Sequence, residues 1–107
     1  NSSRHMKKSI FPFTGVQWQI SQKIATVEGT YIDLSEYTAR LAYAREPGMA
    51  TIEIVDAIID QSSITVTDTM LANAAAGAYV YQIELSDGAD KQIVVSGRMF
   101  VQRSLFD

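Results

Sequence analysis

Apolar and polar residues alternate along most of this chain, and this period of two predicts β-strands. The strongest example is residues 78–86, where Tyr79, Tyr81, Ile83 and Leu85 share one face. Weaker alternation predicts further strands at residues 16–20, 38–45, 51–55, 63–67, 91–95 and 98–103. Turn signals separate these segments every ~8–12 residues, which is typical of a β-sandwich or a small barrel.

One stretch, residues 67–77, favours a helix instead. Thr67 or Asp68 can cap its start, alanines fill its middle, and Gly77 can end it. Its short length predicts about one to two turns. Strands do not alternate with long helices, so the pattern predicts an all-β fold of about seven strands with one short helical turn.

Length and composition fit a single folded domain. The chain has 107 residues, of which 47% are hydrophobic and 20% charged. Its first six residues end in a His-Met pair and resemble an expression-vector scar, so we expect residues 1–6 to be that scar and residues 7–107 to be one domain. No apolar run approaches the ~18 residues that cross a bilayer, so no membrane association is expected.

The charged and reactive residues argue against catalysis. A net charge of −3 does not suggest nucleic-acid binding, and the absence of cysteine excludes thiol catalysis. The one histidine, His5, lies in the predicted scar, so serine–histidine catalysis is excluded too. Two carboxylate pairs, Asp56 with Asp60 and Asp87 with Asp90, remain as candidates for hydrolysis, and the loop of Asp87 and Asp90 is also a candidate calcium site, but predicted turns explain both pairs. We expect no enzyme, cofactor or metal.

Several segments together resemble the small immunoglobulin-like domains of bacteriophage tail and baseplate proteins, above all the N-terminal domain of baseplate upper proteins. The similarity is one of pattern and spans about residues 16–101. The segments that carry it are an early strand with Trp18, Ile32-Asp33-Leu34-Ser35 leading to Thr38-Ala39-Arg40-Leu41, the strand at residues 77–85, and Gly97 before a closing strand. The resemblance implies an immunoglobulin-like antiparallel β-sandwich without catalytic residues.

The same resemblance implies a structural protein of a phage or prophage tail, made in the host cytoplasm and used in the virion. Its partners would be other tail subunits or further copies of the chain. Candidate contact residues are the terminal apolar residues Phe11, Phe13 and Phe106, together with Val101 in an expected edge strand at residues 98–103. Residues 16–20 are the other expected edge.

Two further interpretations concern aromatic residues. Tyr79, or else Tyr81, is a candidate tyrosine corner that bonds back to upstream backbone, although both could simply be core aromatics. Exposed aromatics could instead form a platform for a host-surface carbohydrate, with Trp18 and Tyr37 as test positions. A carbohydrate-binding module is therefore the alternative to a structural role.

Overall fold

The computed structural model describes residues 5–45 and 52–105, and its regular structure is almost entirely β. The strands are β1 (Met6–Lys7), β2 (Phe13–Thr14), β3 (Gln19–Lys23), β4 (Thr38–Arg45), β5 (Glu53–Asp60), β6 (Ser63–Thr67), β7 (Gly77–Ser86) and β8 (Lys91–Arg103). A single 3-10 turn, Asp68–Leu71, precedes β7. The prediction of an all-β chain with one short helical turn is confirmed. Among the described residues, no helix has the length and apolar character needed to span a membrane.

The strands form one curled, mixed sheet in the order β1-β8-β7-β4-β5-β6-β3, and β2 pairs with β8 off this path. Strands β3 to β8 pair antiparallel with their neighbours. The two short N-terminal strands instead run parallel to β8. The prediction of a purely antiparallel sheet is therefore wrong at this side, because the N-terminal segment follows β8 in the same direction.

Strand β5 gives the sheet its curl by changing partner along its length. Its first half pairs with β4, from Glu53 to Ala57, and its last three residues pair with β6. The sheet consequently folds back so that β6 approaches β7 and β8. Ile64, Ile83 and Val95, one from each of these strands, line one internal cavity of only about 20 Å³. A single core therefore fills the inside of the curl.

The core takes the inward-facing residues of every long strand, and its burial follows the alternation of the sequence. In β7, every second residue from Tyr79 to Leu85 is buried. The largest side chains with almost no exposure are Ile24, Leu34, Leu41, Ile64, Leu85, Met99, Val94 and Val95. Each such side chain stabilises the fold by roughly 1.5–3 kcal/mol relative to an exposed one.

The N-terminal segment, residues 6–14, lies along β8 and removes an edge that the sequence predicted. Besides the β1–β8 and β2–β8 pairings, four backbone hydrogen bonds hold it, each between 2.8 and 3.0 Å: Lys8 N to Ser96 O, Ile10 N to Arg98 O, Phe100 N to Ile10 O, and Gln102 N to Pro12 O. Strand β7 occupies the other side of β8. The expectation of a free edge at residues 98–103 is therefore wrong, and Val101, only 6% exposed, belongs to the core.

Two other predicted elements shift. The strand predicted at residues 16–20 is β3, and it spans Gln19–Lys23. Residues 56–60, expected in a polar turn, instead complete β5, and the turn is confined to Gln61 and Ser62. Gln61 adopts a φ of 56°, a left-handed conformation that residues other than glycine and asparagine seldom take. The sequence carries no glycine or asparagine signal there, so the turn could not be located from it.

Candidate interaction surface

Several exposed apolar side chains lie on the outward side of β5, β4, β7 and β8, which we call the outer face. Strand register arranges its side chains in cross-strand rows. One row is Arg98, Val80 and Ala44; the next is Ser96, Gln82, Ala42 and Ile54; the last is Ile93, Glu84, Arg40 and Asp56. Ile52 borders the first of these rows next to Ala44. The outer face thus carries aliphatic and polar residues in equal numbers, with charged residues in its first and last rows.

Short side chains in the middle of the outer face leave a groove. Ala42 and Ala44 form its floor, Ile52 flanks it, and its volume is about 420 Å³. Ile52 and Ile54 are 61% and 54% exposed, and Val80 is also exposed. Scattered single apolar residues are normal on a protein surface, whereas a contiguous apolar group is a candidate interaction site.

The charged last row is largely neutralised within the chain. Arg40 Nη2 lies 2.8 Å from Glu84 Oε1, and Arg40 Nε donates to the same oxygen at 3.2 Å. The hydrogen bond from Glu84 and its negative charge raise the pKa of Arg40 above its usual value. Because the charges of Arg40 and Glu84 neutralise each other, this pair does not require an oppositely charged partner.

The candidate contact residues near the N-terminus fall at the margin of the outer face. The ring of Phe11 stacks on Phe100, with centroids 5.3 Å apart and planes 14° from parallel. Phe100 pairs with Ala78 in the ladder, so the stacked rings extend the outer face beyond Val80. Phe13 is 45% exposed and pairs with Gln102. Phe106 and residues 1–4 of the predicted scar lie outside the described residues.

Tyr79 lies near the start of β7, and its side chain bonds back to the segment that precedes the strand. Its hydroxyl donates to the carbonyl of Ala75 at 2.7 Å. Tyr43 meets its ring edge-on at a centroid distance of 5.5 Å, and the guanidinium of Arg45 lies 4.6 Å from its centroid. The ring is therefore held on two sides and tied to the turn that precedes the strand.

Tyr81 has a different role, because it fastens the N-terminal segment. Its hydroxyl donates to the carbonyl of Lys8 at 2.6 Å, and burial raises the pKa of Tyr81 to about 12. Gly97, on β8, pairs with Tyr81 on β7. A Cβ at Gly97 would collide with the same carbonyl oxygen of Lys8. The segment thus approaches β8 closely only because residue 97 has no side chain.

A second concave site lies at one end of the sheet, around the only tryptophan. It measures about 300 Å³, and its lining includes Phe13, Val16, Trp18, Asp68 and Leu71. Trp18 is half-buried at the rim, and its indole Nε1 donates to the carbonyl of Phe13 at 2.8 Å. The backbone N–H of Trp18 donates to Asp68 Oδ1 at 3.4 Å. We call this site the end cleft.

The acidic residues singled out by the sequence do not converge. Asp56 and Asp60 both lie on β5. Asp87 Oδ1 accepts the backbone N–H groups of Asp90 and Ala89, at 2.7 and 2.9 Å, and these bonds lower the pKa of Asp87. Across residues 5–45 and 52–105, no three His, Asp or Glu side chains group closely enough to hold a metal ion.

Sequence reasoning missed the outer face, because its apolar residues follow the same alternation as the core. Ile52 and Ile54 have the period of an ordinary buried face, and only the register with β4 shows which side of the sheet they occupy. No protein-family model matches this chain, and no curated protein matches it either. We therefore infer function from the surface and from the resemblance noted above.

Proposed function

We propose that the curled sheet is an immunoglobulin-like β-sandwich. In such a sandwich, strands B, E and D form one layer and strands C, F and G the other. Here β3, β6 and the end of β5 follow the order B-E-D, while β4, β7 and β8 follow C-F-G. The partner change along β5 would mark where the chain passes from one layer to the other.

The hydrogen bond of Tyr79 supports the same assignment. In immunoglobulin-like domains, the corner tyrosine lies near the start of strand F and bonds to backbone a few residues upstream. Tyr79 occupies the start of β7, and its acceptor, Ala75, lies four residues earlier. Antibody domains carry a buried Trp on strand C, whereas β4 has no tryptophan and Trp18 lies before β3. The core centre therefore departs from the antibody pattern.

We further propose that this protein is a non-enzymatic assembly subunit of a phage or prophage tail that acts through protein–protein contacts. The observation that carries the proposal is the outer face, with its exposed isoleucines around the alanine-floored groove. Burying an isoleucine that is more than half exposed contributes about 1–2 kcal/mol to association. A neighbouring tail subunit with an aliphatic surface is the partner that fits, since the Arg40–Glu84 pair already neutralises itself.

Purified particles provide the test. The source bacterium is induced, tail-containing particles are isolated by density gradient, and the chain is quantified by targeted mass spectrometry against the major tail protein. We expect a fixed stoichiometry across preparations. Ile54→Asp should remove the chain from particles, because a carboxylate would be buried unpaired in the interface.

The matched control is Ile58→Asp. Ile58 belongs to the same strand and is 49% exposed, but it pairs with Thr65 beyond the outer face. This variant should enter particles normally. Absence of the wild-type chain from particles would refute the tail assignment. Equal incorporation of both variants would refute the outer face as the contact surface.

Binding of a host-surface carbohydrate is the second candidate, and the end cleft favours it. The cleft combines an aromatic side chain, Trp18, with the carboxylate of Asp68 and the hydroxyl of Thr69, the mixture of groups that sugar sites use. Glycan-array binding that is lost on Trp18→Ala, with the circular dichroism spectrum unchanged, would support it. No binding to any glycan, or binding that Trp18→Ala leaves intact, would count against it.

A further inference from the structure

Strand β3 ends the sheet, and only one of its sides is paired. Ile24 N donates to Ser62 O at 2.8 Å, and Asp68 N donates to Trp18 O at 3.2 Å. Backbone groups alternate in direction along an antiparallel strand, so Ile20 and Gln22 also face β6. The N–H and C=O groups of Gln19, Ser21 and Lys23 therefore point away from β6. The C=O of Lys23 also accepts the side-chain Nε2 of Gln22 at 3.5 Å, a long bond that leaves its second lone pair for a partner strand. No other described strand pairs with that side.

This edge lacks the features that usually protect an edge strand. Such strands are commonly shortened, bulged, or interrupted by proline or charge. The opposite end of the sheet is protected, since β1 has only two residues and Lys7 and Lys8 lie there. By contrast, β3 has five residues in an unbroken ladder with β6, and its one charged residue, Lys23, is the last.

We propose that β3 pairs antiparallel with β3 of a second copy of this chain, about a two-fold axis at Ser21. Ser21 would exchange both backbone hydrogen bonds with the partner's Ser21. Gln19 would face the partner's Lys23 and exchange both bonds as well. The sheet would then continue from β6 and β3 of one copy into β3 and β6 of the other.

Three features make a second copy the fitting occupant. The two-fold arrangement places no like charges opposite each other, because Lys23 meets Gln19. The outward side chains near the axis are small and polar, and the Ser21 hydroxyl lies 2.8 Å from the Thr65 hydroxyl. Side chains of this size leave room for another strand to approach. On the inner side, Ile20 is only half-buried and would lie opposite the partner's Gln22. Within each copy, the Gln22 amide is held by the N-terminal segment, because its Oε1 accepts from Lys8 Nζ at 3.1 Å and its Nε2 donates to Met6 Sδ at 3.3 Å.

The pairing goes beyond the proposed tail role and does not depend on it. It uses β3, whereas the proposed tail contact uses the outer face on β5, β4, β7 and β8. An edge-to-edge contact also buries less surface than a stable dimer interface, so the dimer should be weak and concentration-dependent.

Sedimentation velocity on the full chain, from micromolar to millimolar concentration, tests the proposal together with amide hydrogen exchange. We expect a reversible monomer–dimer equilibrium. With rising concentration, the amides of Gln19, Ser21 and Lys23 should gain protection. The amides of Ile20 and Gln22 should be protected throughout, since they bond to β6 in the monomer.

Ser21→Pro should abolish the dimer without unfolding the monomer, because the N–H it removes faces outward. Ser21→Ala is its matched control: it also loses the hydroxyl bond to Thr65 but keeps the N–H, so it should dimerise. Register is tested at Gln19. Gln19→Glu should tighten the dimer and Gln19→Lys weaken it, each by about 2- to 30-fold, because two cross-strand pairs change at once.

Three outcomes would overturn the proposal. One is a strict monomer at the highest concentration. Another is a dimer that a folded Ser21→Pro variant still forms. The third is a dimer whose dissociation constant responds equally to glutamate and lysine at Gln19, since the proposed register opposes them to Lys23.

Discussion

Gly97→Ala should loosen the attachment of the N-terminal segment at Lys8. The added methyl group would collide with the backbone carbonyl of Lys8, which no side-chain rotation can move aside. That carbonyl accepts the hydroxyl of Tyr81, and the N–H of Lys8 donates to Ser96 O. Relief of the collision therefore requires the segment to withdraw from β8 and give up both hydrogen bonds.

The size of the effect follows from the contacts that would be lost. The two hydrogen bonds contribute about 1 kcal/mol each. Partial exposure of Ile10, now 7% exposed, would cost about 1 kcal/mol more. Alanine restricts the unfolded chain more than glycine does, which offsets about 0.7 kcal/mol. We expect the free energy of unfolding to fall by about 2 kcal/mol, or about 10 °C in Tm for a domain of this size.

Urea denaturation and native-state hydrogen exchange measure the two parts of this effect. Denaturation gives the change in the free energy of unfolding. Exchange should locate it, because the amides bonded across the segment should lose more protection than the rest of the protein. Those amides belong to Lys8, Ile10, Phe100 and Gln102.

Gly29→Ala is the control. Gly29 has a φ of 94° and open space where a Cβ would lie, so alanine there costs about 1–2 kcal/mol of backbone strain without a collision. Its exchange pattern at the N-terminal segment should keep its wild-type proportions. A Gly97→Ala variant with unchanged stability and unchanged exchange at Lys8 and Ile10 would refute the reasoning.

Two further predictions concern the buried tyrosines. Tyr79→Phe should lower the free energy of unfolding by about 1 kcal/mol, through loss of the bond to Ala75, whereas Tyr31→Phe at an exposed ring should change it by less than about 0.5 kcal/mol in urea melts. The pKa of Tyr81 is raised to about 12 in the folded protein, from about 10 in the unfolded chain. The contribution of the neutral Tyr81 hydroxyl to the free energy of unfolding is therefore complete below pH ~10 and is lost as the pH rises towards 12. Tyr81→Phe should reduce this alkaline loss, and equal losses in both proteins would contradict the assignment.

The alternation of apolar and polar residues was enough to predict many of the strands. The segments around Tyr81, Leu41 and Ile64 were predicted as strands, and each buries the apolar face of its period. Such strands can be predicted from the sequence because one face packs in the core and the other is exposed to solvent, so apolar and polar residues alternate. The short helical turn was also predicted, but it is limited to Asp68–Leu71: it contains none of the alanines, its N-cap Thr67 makes no side-chain capping bond, and it ends well before Gly77.

The rest depended on contacts between distant parts of the chain. Nothing in residues 6–14 predicts that they run parallel to β8, since their attachment depends on Gly97, about ninety residues away. The length of β5 was missed because Asp56 and Asp60 resemble turn residues, although both lie on its exposed side. The outer face was missed for a related reason: Ile52 and Ile54 are as apolar as core residues, and only their strand partners reveal their exposure.

The parallel attachment of the N-terminal segment also determines how the domain would bear mechanical load. Residues 6–14 and β8 run in the same direction, so tension applied at residues 5 and 104 would pull the two strands past each other lengthwise. All the backbone hydrogen bonds between them would then be stressed together in shear, whereas an antiparallel terminal pair would open one bond at a time. Forced unfolding is governed by the height of its barrier, and loading these bonds in shear raises that barrier.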